Sequence, residues 1–329
     1  MLIVSLPFVD YKLRWDEDNK GDSMVSLEKA QTAHDLCDSV GEVEAAKQMG
    51  ISVESVHRYC RIQQENTAIA KSEGYGPKIL LYDLETAPNL AYVWGFFKQN
   101  IAPSQVVEFT DVLCWSAKWL GNEAILCESR EDDESDERIC RSLWELFDEA
   151  DIVVAHNGRG FDQKIMNLRW MAMGMQPPSP YKDVDTLKVA KGAFRFPSNK
   201  LDGIARYLNI GTKRPHEGFA LWTKCLAGDA EAWETMRLYN IQDVVLLEKV
   251  YLKLRPWSKD GNMHPNVALM YEDNQTRCVV CGSTALKEIP QPSHTSVSTF
   301  PSIRCKTCGK VMRTGTRDKN DKVVLRHSL

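Results

Sequence analysis

No stretch of this 329-residue chain is apolar for the roughly 18 to 20 residues that a membrane-spanning helix requires. The short apolar start at residues 2–9 lacks a charged flank and is broken by Pro7, so no secretory leader and no membrane association are expected. An excess of positive charge is also missing. The 41 Lys and Arg against 45 Asp and Glu leave a formal charge of -4, which excludes a polybasic coat and confines any polyanion contact to a local patch. Evenly spread cysteine is absent too: of ten, six (Cys37, Cys60, Cys114, Cys127, Cys140, Cys225) stand singly and four form two tight pairs near the end. That distribution fits a reducing, cytoplasmic setting and one metal site better than a disulfide framework. There is no internal repeat.

What is present falls into three segments. Residues 1–70 read as a helical module, with Ser26 as a helix cap and a second helix over 42–49 stopped by Gly50. A linker rich in Gly and Pro follows at 71–78. Residues 78–257 then alternate strands (78–82, 106–119, 124–127, 151–155) with helices (139–150, 162–173, 201–208, 230–254), the pattern of an α/β layer fold. The acidic run at 128–138 reads as a solvated loop and helix start. Residues 270–329 form a small C-terminal module. Within it, residues 278–329 hold nine Lys or Arg against three acids, so this tail is the part of the chain suited to phosphate.

Carboxylates recur at places where acids are costly. The strand from Ile79 runs into Asp83-Leu84-Glu85-Thr86, and alternation along an extended chain puts Asp83 and Glu85 on one side. Two such neighbours call for a cation, and hard oxygens suit Mg²⁺ or Mn²⁺. A second apolar strand empties into His156-Asn157-Gly158-Arg159-Gly160-Phe161-Asp162, where Asp162 starts a helix and has N-capping as its ordinary role. Inside a long helix, Tyr239 and Asp243 share a face at i, i+4 beside the apolar run 244–247.

In order and spacing these residues resemble the DEDD superfamily of 3'-to-5' exonucleases. Asp83 and Glu85 match its first motif, Asn157 to Asp162 its second (Asn-x-x-x-Phe-Asp) and Tyr239 to Asp243 its third. Residue 238 is Leu, so the His-x-x-x-x-Asp variant is absent and Tyr-x-x-x-Asp marks the tyrosine (DEDDy) branch. Residues 181–188 (YKDVDTLK) and 199–208 (NKLDGIARYL) are similar to the exonuclease domains of family B DNA polymerases.

The resemblance implies a ribonuclease H-like mixed sheet flanked by helices. It also implies release of 5'-mononucleotides from single-stranded or frayed DNA 3' ends by a two-metal-ion mechanism. Asp83, Glu85, Asp162 and Asp243 would hold two Mg²⁺ or Mn²⁺, and Tyr239 would orient the attacking water. Thr86 and Asn157, inside the motifs, are assigned to nucleic-acid contact. The 86 residues after Asp243 are too few for a polymerase, so a free-standing nuclease or a subunit working with replication or repair proteins is expected. An RNA exonuclease and a noncatalytic DNA-binding regulator on the same scaffold are the alternatives.

Two flanking modules complete the reading. Cys278-x-x-Cys281-Gly and Cys305-x-x-Cys308-Gly pair two thiolate turns into a closed tetrahedral site for one structural Zn²⁺, and this resembles a zinc ribbon. Lys306, Lys310 and Arg313 surround it with positive charge. Residues 42–62 resemble a helix-turn-helix, with Ala46 at the helix crossing, Gly50 in the turn and Val56 beneath the second helix. Ser52, Glu54, His57 and Arg58 would face duplex DNA, although six acids against four Lys or Arg over residues 26–62 make a poor electrostatic footprint. Trp94, Phe96, Phe97, Phe194 and Phe196 are candidates to stack on unpaired bases, with packing in the core the ordinary expectation for most.

Overall fold

The computed structural model describes residues 42–50, 53, 56, 76–131 and 135–315. The chain divides into two units between residues 76 and 77. In the first, α1 (Glu42–Met49) buries Ala45 and Ala46 against Val56, with Val53 at the edge of the cluster. Gly50 ends this helix in the left-handed region at φ 66°, a conformation that glycine adopts without a Cβ penalty. Ser52, Glu54, His57 and Arg58, the expected recognition residues, lie outside the described residues.

The second unit is built on a five-stranded mixed sheet of order β5-β4-β1-β6-β7. Its strands are β1 (Ile79–Thr86), β4 (Val112–Trp119), β5 (Leu126–Ser129), β6 (Ile152–Ala155) and β7 (Lys182–Asp185). A small hairpin, β2 (Leu90–Ala91) with β3 (Val106–Glu108), separates β1 from β4. β1 pairs antiparallel with β4 and parallel with β6. Helices cover both faces, giving the ribonuclease H-like architecture: α2 (Glu137–Glu149) and α3 (Asp162–Ala172) on one, and on the other α4 (Thr186–Ala193), α5 (Leu201–Tyr207), α6 (Phe219–Leu226) and the 25-residue α7 (Ala230–Leu254).

The alternation of β1 sorts its side chains between these layers. Leu80, Tyr82 and Leu84 enter the core beneath α2 and α3, while Ile79 and Leu81 meet Val244, Leu247 and Val250 of α7. Asp83 and Glu85 continue the second set and therefore point towards α7. The buried stripe of α7 is apolar at Ala232, Trp233 and Met236 and again from Val244 onward, but polar in between at Tyr239, Asn240 and Asp243. The polar stretches of strand and helix face each other, and the site is the gap they leave in the core.

Within the acidic run, Asp136 departs from the expected solvated state. It is fully buried, accepts the Val112 amide at 2.9 Å and accepts from both Nε and Nη2 of Arg169 in α3. A buried carboxylate persists only with such partners. Trp94, Phe96 and Phe97 correct the expectation of core packing: they are 98%, 95% and 87% exposed on the loop between β2 and β3. Phe194 and Phe196 are partly buried against the α7-side core.

Past α7 the chain forms a three-stranded antiparallel sheet of order β10-β9-β8, from β8 (Leu286–His294), β9 (Thr299–Cys305) and β10 (Val311–Arg313). The Val267 amide donates to the Val279 carbonyl at 2.8 Å, and Lys310 donates to the Ser258 carbonyl, so this sheet is fastened to the end of α7. Among the described residues no helix is long and apolar enough to cross a membrane.

Candidate active site

Asp83, Glu85 and Asp243 each offer a carboxylate oxygen, and these three atoms lie within 4.8 Å of one another. They come from the end of β1 and the middle of α7. Asn240 Nδ2, one helical step from Tyr239, donates to Asp83 Oδ2 at 2.9 Å and fixes that carboxylate's orientation. Asp162 lies outside this trio. It is the buried first residue of α3, with Phe161 rather than Asp162 in the capping position. Its charge reaches both Asp83 and Glu85.

The second motif owes its shape to close packing. A Cβ at Gly158 would stand 2.6 Å from the Ala155 Cβ, which cannot swing aside, so the turn is built around glycine there. Asn157 is left-handed at φ 71°, and its amide donates to Asp185 Oδ1 at 2.9 Å while the same oxygen caps α4 through Leu187. His156 is held at both ring nitrogens, 2.9 Å from Thr186 Oγ1 and 2.9 Å from the Asn199 carbonyl. Burial lowers its pKa. Thr86 closes β1 where the register with β4 shifts.

The electrostatics of the cluster follow from crowding. Burial and then the charge of Asp243 push Glu85 up to about 8, and the same two causes raise Asp83 well above the carboxylate range. Burial lifts Asp162 to about 6 and also raises Asp243. Like charges at this separation cannot all ionise without a cation.

Among the described residues, Lys213 brings a cation to the cluster. Lys213 Nζ donates to Tyr239 Oη at 2.9 Å and to Asp243 Oδ2. Although burial works against its charge, Asp243 raises the Lys213 ammonium above its ordinary value. Burial and the Asp243 charge lift the Tyr239 phenol to about 12, so it remains protonated at neutral pH. Asp243 Oδ1 is buried with no hydrogen-bond partner, which leaves one acceptor of this carboxylate unsatisfied. An orphaned carboxylate oxygen among hard-oxygen donors fits a divalent cation. A groove of about 550 Å³ opens beside Asp83, lined among others by Asn157, Lys191, Asn199, Lys200 and Lys213.

A second candidate metal centre stands apart. Cys278, Cys281, Cys305 and Cys308 converge with ligand atoms within 4.8 Å. Cys278 Sγ lies 3.6 Å from Cys308 Sγ, and Cys281 Sγ 3.6 Å from Cys305 Sγ. The edge of a sulfur tetrahedron with metal–sulfur bonds of about 2.3 Å is about 3.8 Å, so the spacing suits one ion of zinc's size. Both turns have one geometry: Gly282 at φ 73° donates to the Cys278 carbonyl at 3.0 Å, and Gly309 at φ 83° to that of Cys305 at 3.0 Å. Hydrogen bonds from the Cys281 and Cys308 thiols pull Cys278 down to about 2 and raise their own values, the mark of sulfurs competing for one negative charge.

Of the three cations assigned to this module, Lys306 is exposed and Arg313 lies 4.2 Å over the Phe300 ring. Lys310 is corrected: it is partly buried and engaged with the Ser258 carbonyl, so it fastens the module to the rest of the unit. Sequence reasoning missed Lys213 and Asn240. Asn240 sits inside the third motif beside Tyr239, where its helical position gave a usable signal. Lys213 lies in an irregular segment between α5 and α6, and no periodicity or spacing marks it.

The family RNase_H_2 of the RNase_H superfamily matches residues 110–255, which include Asp162, Tyr239 and Asp243 but begin after Asp83 and Glu85. No curated protein matches the chain. Among solved structures, the family B DNA polymerase from the hyperthermophilic archaeon Pyrobaculum calidifontis is similar at 16% identity and a TM-score of 0.40. That match covers 55% of this chain, which spans about a quarter (25%) of the polymerase chain's length.

Proposed function

We propose that this chain is a metal-dependent 3'-to-5' exonuclease of the tyrosine branch, hydrolysing phosphodiester bonds at DNA 3' ends and releasing 5'-mononucleotides. The observation that carries this reading is the meeting of Asp83 and Glu85 from β1 with Asp243 from α7 in one crowded cluster. A chain that assembled these acids for stability alone would gain little, because each is raised by burial or by its neighbours.

Asp83, Glu85 and Asp243, with Asp162 nearby, would hold two Mg²⁺ or Mn²⁺. Bound there, the ions supply an activated water and stabilise the attacking and leaving oxygens of the displacement. The residues do the positioning. Asn240 holds Asp83, and Lys213 holds both Tyr239 and Asp243. The Tyr239 phenol, protonated at neutral pH, orients the water through a hydrogen bond and does not act as the base. Asn157, which lines the groove that opens at Asp83, and Thr86, next to Glu85, would contact the nucleic acid.

The flanking modules extend this reading. One structural Zn²⁺ at the four cysteines would order a ribbon that grips backbone through exposed cations such as Lys306 and Arg313. The N-terminal unit would read duplex DNA as a helix-turn-helix through Ser52, His57 and Arg58. The assay that tests the proposal incubates 5'-labelled single-stranded DNA, duplex DNA with a 3' overhang and RNA with the protein and Mg²⁺ or Mn²⁺. A ladder shortened stepwise from the 3' end of DNA is expected. Internal cuts, or no cleavage in either metal, would remove the exonuclease reading, and faster loss of RNA would change the substrate.

A further inference from the structure

Next to the groove at Asp83 lies a surface that the hydrolytic site does not use. Lys191 in α4 and Lys200 just before α5 line the groove, and between them the chain carries Phe194 and Phe196. These rings belong to a row of four. Phe194 lies 5.4 Å from Trp257 and 5.1 Å from Phe196, and Phe196 lies 5.6 Å from Tyr207. The inner two are seated against the α7-side core, while Trp257 and Tyr207 at the two ends are 62% and 63% exposed.

Like the C-terminal tail, this surface departs from the chain's negative balance. Residues 186–207 carry five Lys or Arg against one acid, in a protein whose formal charge is -4. Arg206 is paired with Asp202. Lys188, Lys191, Arg195 and Lys200 are exposed, and none forms an ion pair among the described residues. Rings anchored on a core lose little entropy when a flat partner stacks on them, and unpaired cations beside them favour a polyanion. Aromatic rings interleaved with cations beside a groove suit single-stranded nucleic acid, whose bases offer π faces and whose backbone offers phosphates. A protein partner covering the rings would bury these four ammonium and guanidinium groups unless it brought matching acids.

We infer that the row Trp257–Phe194–Phe196–Tyr207 is a binding track for the unpaired nucleic-acid segment upstream of the end being cleaved. The exposed rings stack on its bases, and Lys191, Arg195 and Lys200 meet its phosphates. This deepens the exonuclease reading and rests on it, since the track is placed by Lys191 and Lys200, which line the groove at Asp83 and flank Phe194 and Phe196 in the chain.

The test measures binding of fluorescently labelled dT3, dT12 and a 12-base-pair duplex to the full chain with divalent ions withheld, for the wild type and for Tyr207→Ala/Trp257→Ala. The wild type should bind dT12 far more tightly than dT3. The double variant should lose roughly tenfold or more of the dT12 affinity, with little change for dT3 or duplex, whose bases are already stacked. Because ring removal can disturb packing, Arg195→Gln provides a second measure. It should lower the slope of log K against log salt for dT12 by roughly 0.7, the loss of one single-strand phosphate contact. An unchanged ratio of dT12 to dT3 affinity in the double variant together with an unchanged salt slope in Arg195→Gln would overturn the track. So would a change of oligomeric state in place of a change in binding. Cleavage of dT12 by the wild type in Mn²⁺ is scored separately: its absence would refute the exonuclease reading, while the binding ratio alone decides the track.

Discussion

Lys213 Nζ bridges Tyr239 and Asp243, donating to the phenol oxygen at 2.9 Å and to the carboxylate that α7 brings to the acidic cluster. One flexible side chain from an irregular segment thereby sets the position of both residues of the third motif. Groups that orient the immediate ligands of a reaction centre typically contribute about 10- to 100-fold to activity. Lys213→Met should lower turnover by that order. Tyr239→Phe should be milder than loss of a carboxylate, because water loses only a hydrogen-bond partner. The two substitutions share an interaction, so their combined effect should fall short of the product of the single effects. A double-mutant cycle on kcat with a short oligonucleotide checks this, and strict additivity would contradict the bridge.

The crowded carboxylates predict the pH dependence of stability without divalent ions. Burial and Asp243 raise Glu85 from its ordinary 4.5 to about 8. A carboxyl whose pKa is higher folded than unfolded contributes its stability fully below the unfolded value and loses it as pH rises through the folded one. The metal-free melting temperature should therefore decline between about pH 4.5 and 8, through this group. Mg²⁺ or Mn²⁺ should reduce the decline, and so should Asp243→Asn, which removes the neighbouring charge. Differential scanning fluorimetry across this interval is sufficient. The same slope in Asp243→Asn as in the wild type would show that the cluster is not its source.

The four-cysteine centre should hold one Zn²⁺ per chain, and its binding should be part of the folding of the three-stranded sheet. Elemental analysis of reduced protein should give a zinc ratio near one. Cys305→Ser should disorder that sheet and lower the melting temperature of the unit to which Lys310 and Val267 fasten it. Hydrolysis of a short oligonucleotide should survive, because the acidic cluster is built without residues of the ribbon. Absence of zinc in freshly prepared reduced protein would refute the assignment.

Legibility in the sequence varied with the physics behind each feature. The alternation of β1 is a local rule, so the shared side of Asp83 and Glu85 could be read directly, and the apolar stripe of α7 was long enough to give its bounds at 230 and 254. The short elements α4, α6 and β7 give no clear periodic signal in the sequence. Eight residues of α6 (FALWTKCL) show too little periodicity to separate helix from strand, and β7 is only four residues long. Asp136 looked like one acid among many, because its buried pairing with Arg169 joins residues 33 apart. The exposure of Trp94, Phe96 and Phe97 runs against their hydrophobicity, which is the usual guide to burial. Lys213 depends wholly on tertiary placement. The long-range carboxylate contacts were expected from a family resemblance, which carried information that spacing alone does not contain.

The central claim is that Asp83, Glu85 and Asp243 form a cation-dependent hydrolytic centre. Its most direct test compares the wild type with Asp83→Ala/Glu85→Ala on 5'-labelled single-stranded DNA in Mn²⁺, with circular dichroism to establish that both are folded. The account predicts stepwise 3' shortening by the wild type, none by the double variant above the metal-free background, and a melting temperature of the metal-free variant no lower than that of the wild type. Metal-dependent shortening that persists in the folded double variant would contradict it.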